Sequence, residues 1–113
     1  MIRLTAGTLT LDGAIKANGA GGISGTGAGA GGSVRLDVET LSGAGTITAN
    51  GGDAKPSGYC YESGGGGGRI AIYYAATNGF DFAKVTAYGG SNSSSSTIGG
   101  AGTVYLKNTG EAL

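Results

Sequence analysis

The sequence predicts an all-β fold, a right-handed parallel β-helix with glycine-rich returns. Three observations lead to this prediction. Glycine accounts for 27 of the 113 residues, whereas about 7% is ordinary. Runs of alternating apolar and polar residues are typical of strands. These runs return at a regular interval, which is the signature of a repeat architecture. Collagen is excluded because the glycines keep no three-residue period and the chain has one proline.

The repeat begins with a strand-like segment in each copy. Equivalent positions are Ile2, Val34, Ile70 and Val104, which are 32, 36 and 34 residues apart. A second motif returns in the same order, and its copies are residues 15–19 (IKANG), 47–51 (ITANG) and 85–89 (VTAYG). Two motifs in fixed order predict a single repeat domain over residues 1–113, with about three coils at 2–32, 33–68 and 69–102 and a partial fourth coil at 103–108.

The first segment of each coil predicts a half-buried strand. In the second coil Val34, Leu36 and Val38 alternate with Arg35 and Asp37, as a strand with one buried face requires. Stacked coils would place equivalent apolar residues in one column, with parallel strands about 4.8 Å apart. Parallel strands need a long crossover, which the rest of each coil supplies, and such crossovers are right-handed in about 98% of cases.

The rest of each coil returns through glycine-rich segments at residues 19–32, 51–68 and 89–102. An alternative architecture fits the same composition. It is a glycine-rich polyproline-II/β sandwich, in which returns such as 64–68 pack as extended rods beside a small sheet. The sequence leaves both architectures open.

The second motif ends in a column of polar residues. Asn18 and Asn50 occupy equivalent positions, and Tyr88 takes the third place. Stacked asparagines at a corner can form ladders whose side chains satisfy backbone groups. The sequence therefore predicts such a ladder after the second strand of each coil.

Composition excludes several classes of function. Seven Lys and Arg residues balance seven Asp and Glu residues. The sequence has no basic run of the kind that indicates binding to nucleic acid. The sequence contains no run of 18 apolar residues, which is the length that would predict insertion into a membrane. The absence of histidine removes the commonest catalytic base and zinc ligand, and the single Cys60 cannot form an intrachain disulfide.

Candidate sites for catalysis, metals and cofactors are weak. Asp37 and Glu39 have a spacing that suits a glycosidase pair, but the equivalent positions in the other coils are not acidic. The acidic residues in the turns lack the calcium-binding nonapeptide of β-helix repeats. A G-x-G-x-x-G match at 27–32 precedes a strand, whereas a dinucleotide site needs a helix there. We therefore expect no enzyme activity, no metal and no cofactor.

Residues 31–52, 64–74 (GGGGGRIAIYY) and 99–107 (GGAGTVYLK) resemble glycine-rich parallel β-solenoid repeats of large, adhesin-like secreted or cell-surface proteins, mostly bacterial. The resemblance covers nearly the whole chain. It implies a secreted or cell-surface location and a structural or adhesive role, and it carries over no catalytic residues. We also expect the chain to be a fragment of a longer array, because the two end coils would lack neighbours and neither terminus has an obvious polar cap.

Four tyrosines are candidate ligand-binding residues: Tyr59, Tyr61, Tyr73 and Tyr88. Tyrosine suits stacking on a sugar ring while its hydroxyl forms hydrogen bonds. Tyr59 and Tyr61 stand out because they interrupt a return where glycine dominates. A purely structural role, covering an adjacent coil, is the alternative for them.

Two functions therefore follow from the sequence. The first is a non-catalytic structural spacer or self-assembling filament module. The alternative is an adhesin module that binds carbohydrate or another surface, with a polysaccharide or cell-surface glycan as partner. The segments 2–6 and 103–107 would form unpaired parallel edges, and such edges template other strands. We therefore expect head-to-tail self-association.

Overall fold

The computed structural model describes residues 1–23, 26–55, 63–92 and 98–110. In these ranges the chain is all-β apart from one turn of 3-10 helix at Phe82–Lys84. The strands are β1 (Ile2–Thr10), β2 (Ala14–Lys16), β3 (Ser33–Ser42), β4 (Thr46–Thr48), β5 (Arg69–Asn78), β6 (Val85–Thr86) and β7 (Thr103–Asn108).

The strands form two parallel sheets. The larger sheet has the order β1-β3-β5-β7 and the smaller has the order β2-β4-β6. All neighbouring strands in both sheets run parallel. Consecutive strands of the chain alternate between the two sheets from β1 to β7. Each of the three sequence repeats, called coils below (residues 2–32, 33–68 and 69–102), contributes one strand to each sheet.

The register of the larger sheet confirms the predicted columns. Ile2 pairs with Val34, Val34 with Ile70, and Ile70 with Val104. The corresponding pairs of the smaller sheet are Ile15 with Ile47 and Ile47 with Val85. Residues that align in the repeat are therefore neighbours across the strands.

The first strand of each coil is longer than the sequence analysis predicts. The predicted segment stops at Ala6, but β1 continues to Thr10. Its pairing passes from Ala6 directly to Thr8 without a partner for Gly7. The inward-facing positions shift at this point, so that Leu9 packs against the core. The shift in periodicity marks an irregularity within one strand and not its end.

The core lies between the sheets and is densest in the middle of the molecule. Its largest fully buried side chains are Val34, Leu36, Leu41, Ile47, Ile70 and Ile72. All six belong to the second and third coils, whose long strands have a neighbour on both sides. The outer strands have one neighbour each, and therefore Ile2 and Val104 are 37% and 38% exposed.

One corner between the sheets requires glycine. Gly43 has a φ of 104°, a conformation that residues with a Cβ rarely adopt. A Cβ at this position would also overlap the backbone of Leu11. Asp12 of the first coil accepts a hydrogen bond from the Ala44 N–H at 3.2 Å, so the first corner supports the second.

Beyond the smaller sheet the coils continue as extended segments that lie side by side. The outgoing layer comprises residues 17–22, 49–54 and 87–92, and the returning layer comprises residues 28–32, 63–68 and 98–102. In the outgoing layer the Gly19 N–H donates to the Asn50 carbonyl at 2.8 Å. In the returning layer the Gly31 N–H donates to the Gly66 carbonyl at 2.8 Å.

The two layers are also bonded to each other. The Gly65 N–H donates to the Gly52 carbonyl at 2.9 Å, and the Gly90 N–H donates to the Gly65 carbonyl at 2.8 Å. The layers approach so closely that a Cβ on Gly51 of the outgoing layer would overlap the Gly65 carbonyl of the returning layer. Backbone packing thus explains why these segments are rich in glycine.

Candidate functional site

The four candidate tyrosines differ in where they lie. Tyr59 and Tyr61 fall in residues 56–62, outside the described part of the chain. Tyr73 lies on β5 in the larger sheet, and Tyr88 follows β6 at the start of the outgoing layer. The structure therefore places Tyr73 and Tyr88 on different elements and not in one cluster.

Tyr73 packs into a side-chain cluster on the outer face of the larger sheet. The Arg35 guanidinium lies 4.8 Å from the centre of the Tyr73 ring, a cation–π arrangement. Tyr105 of β7 lies beside it, with ring centres 5.9 Å apart and an interplanar angle of 55°. Tyr73 thus contributes to contacts across three neighbouring strands.

Sequence reasoning did not assign Tyr105 to this cluster. The signal was available, because Tyr105 falls at the outward position next to Ala71 in the repeat. The small side chain of Ala71 leaves space on this face, and Tyr105 is 49% exposed there.

Asp37 and Glu39 lie beside this cluster and line a groove of about 380 Å³ with Tyr73. Arg35 donates to both carboxylate oxygens of Asp37, at 2.9 Å and 3.3 Å. This hydrogen bonding holds the pKa of the Asp37 carboxyl below its usual value. A glycosidase general acid needs the opposite shift. Asp37 is therefore arranged as a partner for Arg35.

The column at the end of the second motif forms the predicted ladder. The Asn18 Oδ1 accepts from the Asn50 N–H at 2.9 Å. The Asn50 Oδ1 accepts from the Tyr88 N–H at 2.8 Å and from the Thr86 hydroxyl at 3.0 Å. Because a backbone N–H only donates, these bonds identify the amide oxygens. Each coil thus supplies a side-chain acceptor to the backbone of the next.

The ladder continues with Asp53, one of the acidic residues between the predicted strands. Its Oδ1 accepts from the Ser91 N–H at 2.8 Å and from the Ser91 hydroxyl at 3.1 Å. These two hydrogen bonds, the backbone one first, lower the pKa of Asp53. The equivalence of Asp53 and Ser91 follows from the repeat, but the bond depends on how the outgoing segments lie side by side.

A polar groove of about 470 Å³ runs along this ladder. Its walls include Asn18, Asn50, Asp53 and Tyr88, and its floor is the glycine backbone of the outgoing layer. Tyr88 is 64% exposed here. The groove brings a tyrosine, two amides and a carboxylate together across three coils.

The described ranges also bear on metal binding and membrane insertion. There, no group of three or more Cys, Asp or Glu side chains is placed to hold a metal ion. Within the same ranges, no helix has the length and apolar character needed to span a membrane.

No protein-family model, curated protein or solved structure matches the chain.

Proposed function

We propose that the chain is a non-catalytic structural module of a secreted or cell-surface protein, and that it acts as a spacer or filament segment by stacking coil on coil. The observation that carries this proposal is that, among the described residues, each outer strand of the larger sheet has a strand neighbour on one side only. β1 and β7 are the outer strands of the larger sheet. Their inward residues Ile2, Val104 and Leu106 are 37%, 38% and 39% exposed. Further strands would bury these residues.

The proposed architecture combines the two alternatives that the sequence left open. The sheets would form one side of a right-handed parallel β-helix, and the glycine layers would be polyproline-II rods that complete each coil. Neighbouring amides in one outgoing segment point to different partners: the Gly51 N–H donates to Tyr88 and the Gly52 N–H to Gly29. A polyproline-II chain has this character, with three residues per turn and no internal hydrogen bonds.

Stacking would bring β7 of one copy against β1 of another. In continued register Val104 would meet Ile2, and Leu106 would meet Leu4. The contact joins unlike surfaces, and such a heterologous contact forms an open filament when its rotation does not close. Nearly translational stacking of coils would favour the open form.

Light scattering over a concentration series tests this proposal. We expect the mass of the 113-residue chain to rise with concentration. The double variant Val104→Lys/Leu106→Lys should remain monomeric, because charged lysines discourage edge pairing. Tyr105→Ala is the matched control, since it changes the same strand on its outer face, and it should associate like the parent chain. A parent chain that stays monomeric at every concentration contradicts the proposal.

A second candidate function is attachment to a carbohydrate or another surface. One observation favours it: Tyr88 is 64% exposed beside a groove floored by glycine backbone. The two functions are compatible, because stacking would use the outer strands whereas the groove runs along one side of the coils.

A further inference from the structure

We propose that the groove along Asn18, Asn50, Asp53 and Tyr88 binds a neutral, linear oligosaccharide that lies across the three coils. This inference rests on the second function proposed above, attachment to a carbohydrate, and does not depend on stacking. It assigns the ligand class, the protein groups that contact the ligand and the direction in which the oligosaccharide lies along the groove.

The glycines that line the groove are packed against the returning layer. A Cβ on Gly51 would overlap the Gly65 carbonyl, and a Cβ on Gly89 would overlap the Gly99 carbonyl. Both carbonyls belong to the returning layer. The returning layer therefore supports these glycines from behind, and because they lack side chains they present backbone to an extended ligand.

The asparagine ladder provides regularly spaced donors. The amide oxygens of Asn18 and Asn50 are bonded to the backbone of the next coil. The NH₂ groups are the remaining polar atoms of these side chains, and both residues line the groove. An NH₂ group donates two hydrogen bonds, and parallel neighbours are spaced by about 4.8 Å. A ligand with hydroxyl groups along its length matches such a row.

Tyr88 supplies the apolar contact that sugar rings also need. Its backbone N–H bonds to Asn50 and its carbonyl accepts from Gly51, so its main chain is held firmly. Tyr88 is not one of the residues that form the hydrophobic core or pack against it. A ring fixed at its base and 64% exposed can cover one face of a pyranose while its hydroxyl forms hydrogen bonds.

The charge of the groove favours a neutral ligand over an acidic one. Asp53 is its acidic wall residue. The hydrogen bonds from Ser91 stabilise the charged form of its carboxylate. An ionised carboxylate accepts hydrogen bonds from sugar hydroxyls and repels uronic or sialic acid groups.

Titration followed by NMR tests the site directly. The probes are neutral hexasaccharides of glucose, mannose, galactose and N-acetylglucosamine, with an oligogalacturonate for comparison, each up to about 10 mM because weak sugar binding falls in the millimolar range. We expect at least one neutral probe to shift the side-chain NH₂ signals of Asn18 and Asn50 in a saturable manner. The acidic probe should bind more weakly.

Two variants examine the contacts separately. Tyr88→Ala should weaken binding about tenfold, which corresponds to about 1.4 kcal/mol. Asn50→Asp keeps an oxygen acceptor for Tyr88 and Thr86 but replaces the donor that faces the ligand, and it should also weaken binding. Asp53 already fills an equivalent structural role as a carboxylate, so the fold should accept this change. Tyr105→Ala, which removes an exposed tyrosine from the larger sheet, should leave the affinity unchanged.

The outcomes separate the site from the broader function. Binding that shifts signals around Tyr73 and Tyr105 and is insensitive to Tyr88→Ala overturns this site but leaves carbohydrate attachment in place. The absence of saturable shifts with every probe overturns both. Preferential binding of the acidic probe overturns the assigned ligand class. If Tyr88→Ala fails to fold, Tyr88→Phe and Asn50→Asp provide the decisive comparison.

Discussion

The two sheets and the two glycine layers belong to the same coils but are held together differently. In the sheets, side chains such as Leu36 and Ile72 stack in buried columns, and removing apolar area from water stabilises them. In the layers, backbone bonds such as that from Gly65 to Gly52 join segments with little side-chain contact. One repeat thus uses hydrophobic burial on one side and close backbone packing on the other.

This difference has a consequence for substitution. The sheets should respond to the volume that a change removes, because their packing depends on filled space. The glycine layers should respond to any side chain that is added, because their spacing leaves no room for a Cβ at many positions.

The largest expected effect is in the glycine layers. Gly65→Ala would place a Cβ against the Gly29 carbonyl, and backbone on both sides prevents relaxation. We expect a loss of more than about 4 kcal/mol in the free energy of unfolding, measured by chemical denaturation, or failure to fold.

The adjacent Gly66→Ala is the control. Its Cβ would lie 3.8 Å from the Gly100 carbonyl, an ordinary contact, and its φ is not positive. We expect a change within about 1 kcal/mol. Equal losses for the two variants would show that the layers are not limited by backbone contact.

The next effect is in the sheets and compares the middle with the edge. Leu36 and Leu106 belong to one column, but Leu36 is fully buried whereas Leu106 is 39% exposed. Leu36→Ala should cost about 3 kcal/mol, within the range for buried leucines. Leu106→Ala should cost less than about 1 kcal/mol. The denaturation midpoint is measured on the monomer. Similar shifts for the two variants would contradict the difference in burial between the middle and the edge of the sheet.

The smallest expected effect on the free energy of unfolding concerns two paired threonines where the smaller sheet meets the glycine layers. The effect should have opposite signs for the two residues. Thr48 pairs with Thr86 across β4 and β6. The Thr86 hydroxyl donates to Asn50 at 3.0 Å, whereas the buried Thr48 hydroxyl has no hydrogen-bond partner in the described structure.

Replacing each threonine by valine keeps the shape and removes the hydroxyl. Thr86→Val should cost about 1 kcal/mol because it removes a hydrogen bond, and Thr48→Val should gain up to about 1 kcal/mol because it removes an unpaired polar group. Thermal unfolding of the two variants measures the difference. Destabilisation by Thr48→Val as large as that by Thr86→Val would contradict it.

The sheets were largely predictable from the sequence. Alternation marks the buried face of a strand, and the repeat aligns Ile2, Val34, Ile70 and Val104, which pair in that order. The extent of β1 was not predictable, because the shift at Gly7 imitates the end of a strand.

The candidate site was predictable in part. The ladder follows from Asn18 and Asn50 at equivalent positions, and their oxygens accept the backbone bonds of the next coil. The role of Asp53 was not visible, since its partner Ser91 has a different side chain. Tyr73 and Tyr88 have the same residue type, and only their surroundings separate a tyrosine packed on Arg35 from one that is largely exposed.

By itself the sequence determined the β-rich class, the repeat length and the columns of the sheets, because these depend on a local alternation that the repeat copies at similar intervals. Only the tertiary structure decided how the glycine segments pair, which glycines exclude a side chain and which polar groups meet in the groove. Glycine carries no side chain to record its neighbours, so a bond such as that from Gly90 to Gly65 has no pattern in the sequence. It arises when the folded coils bring the two layers to hydrogen-bonding distance.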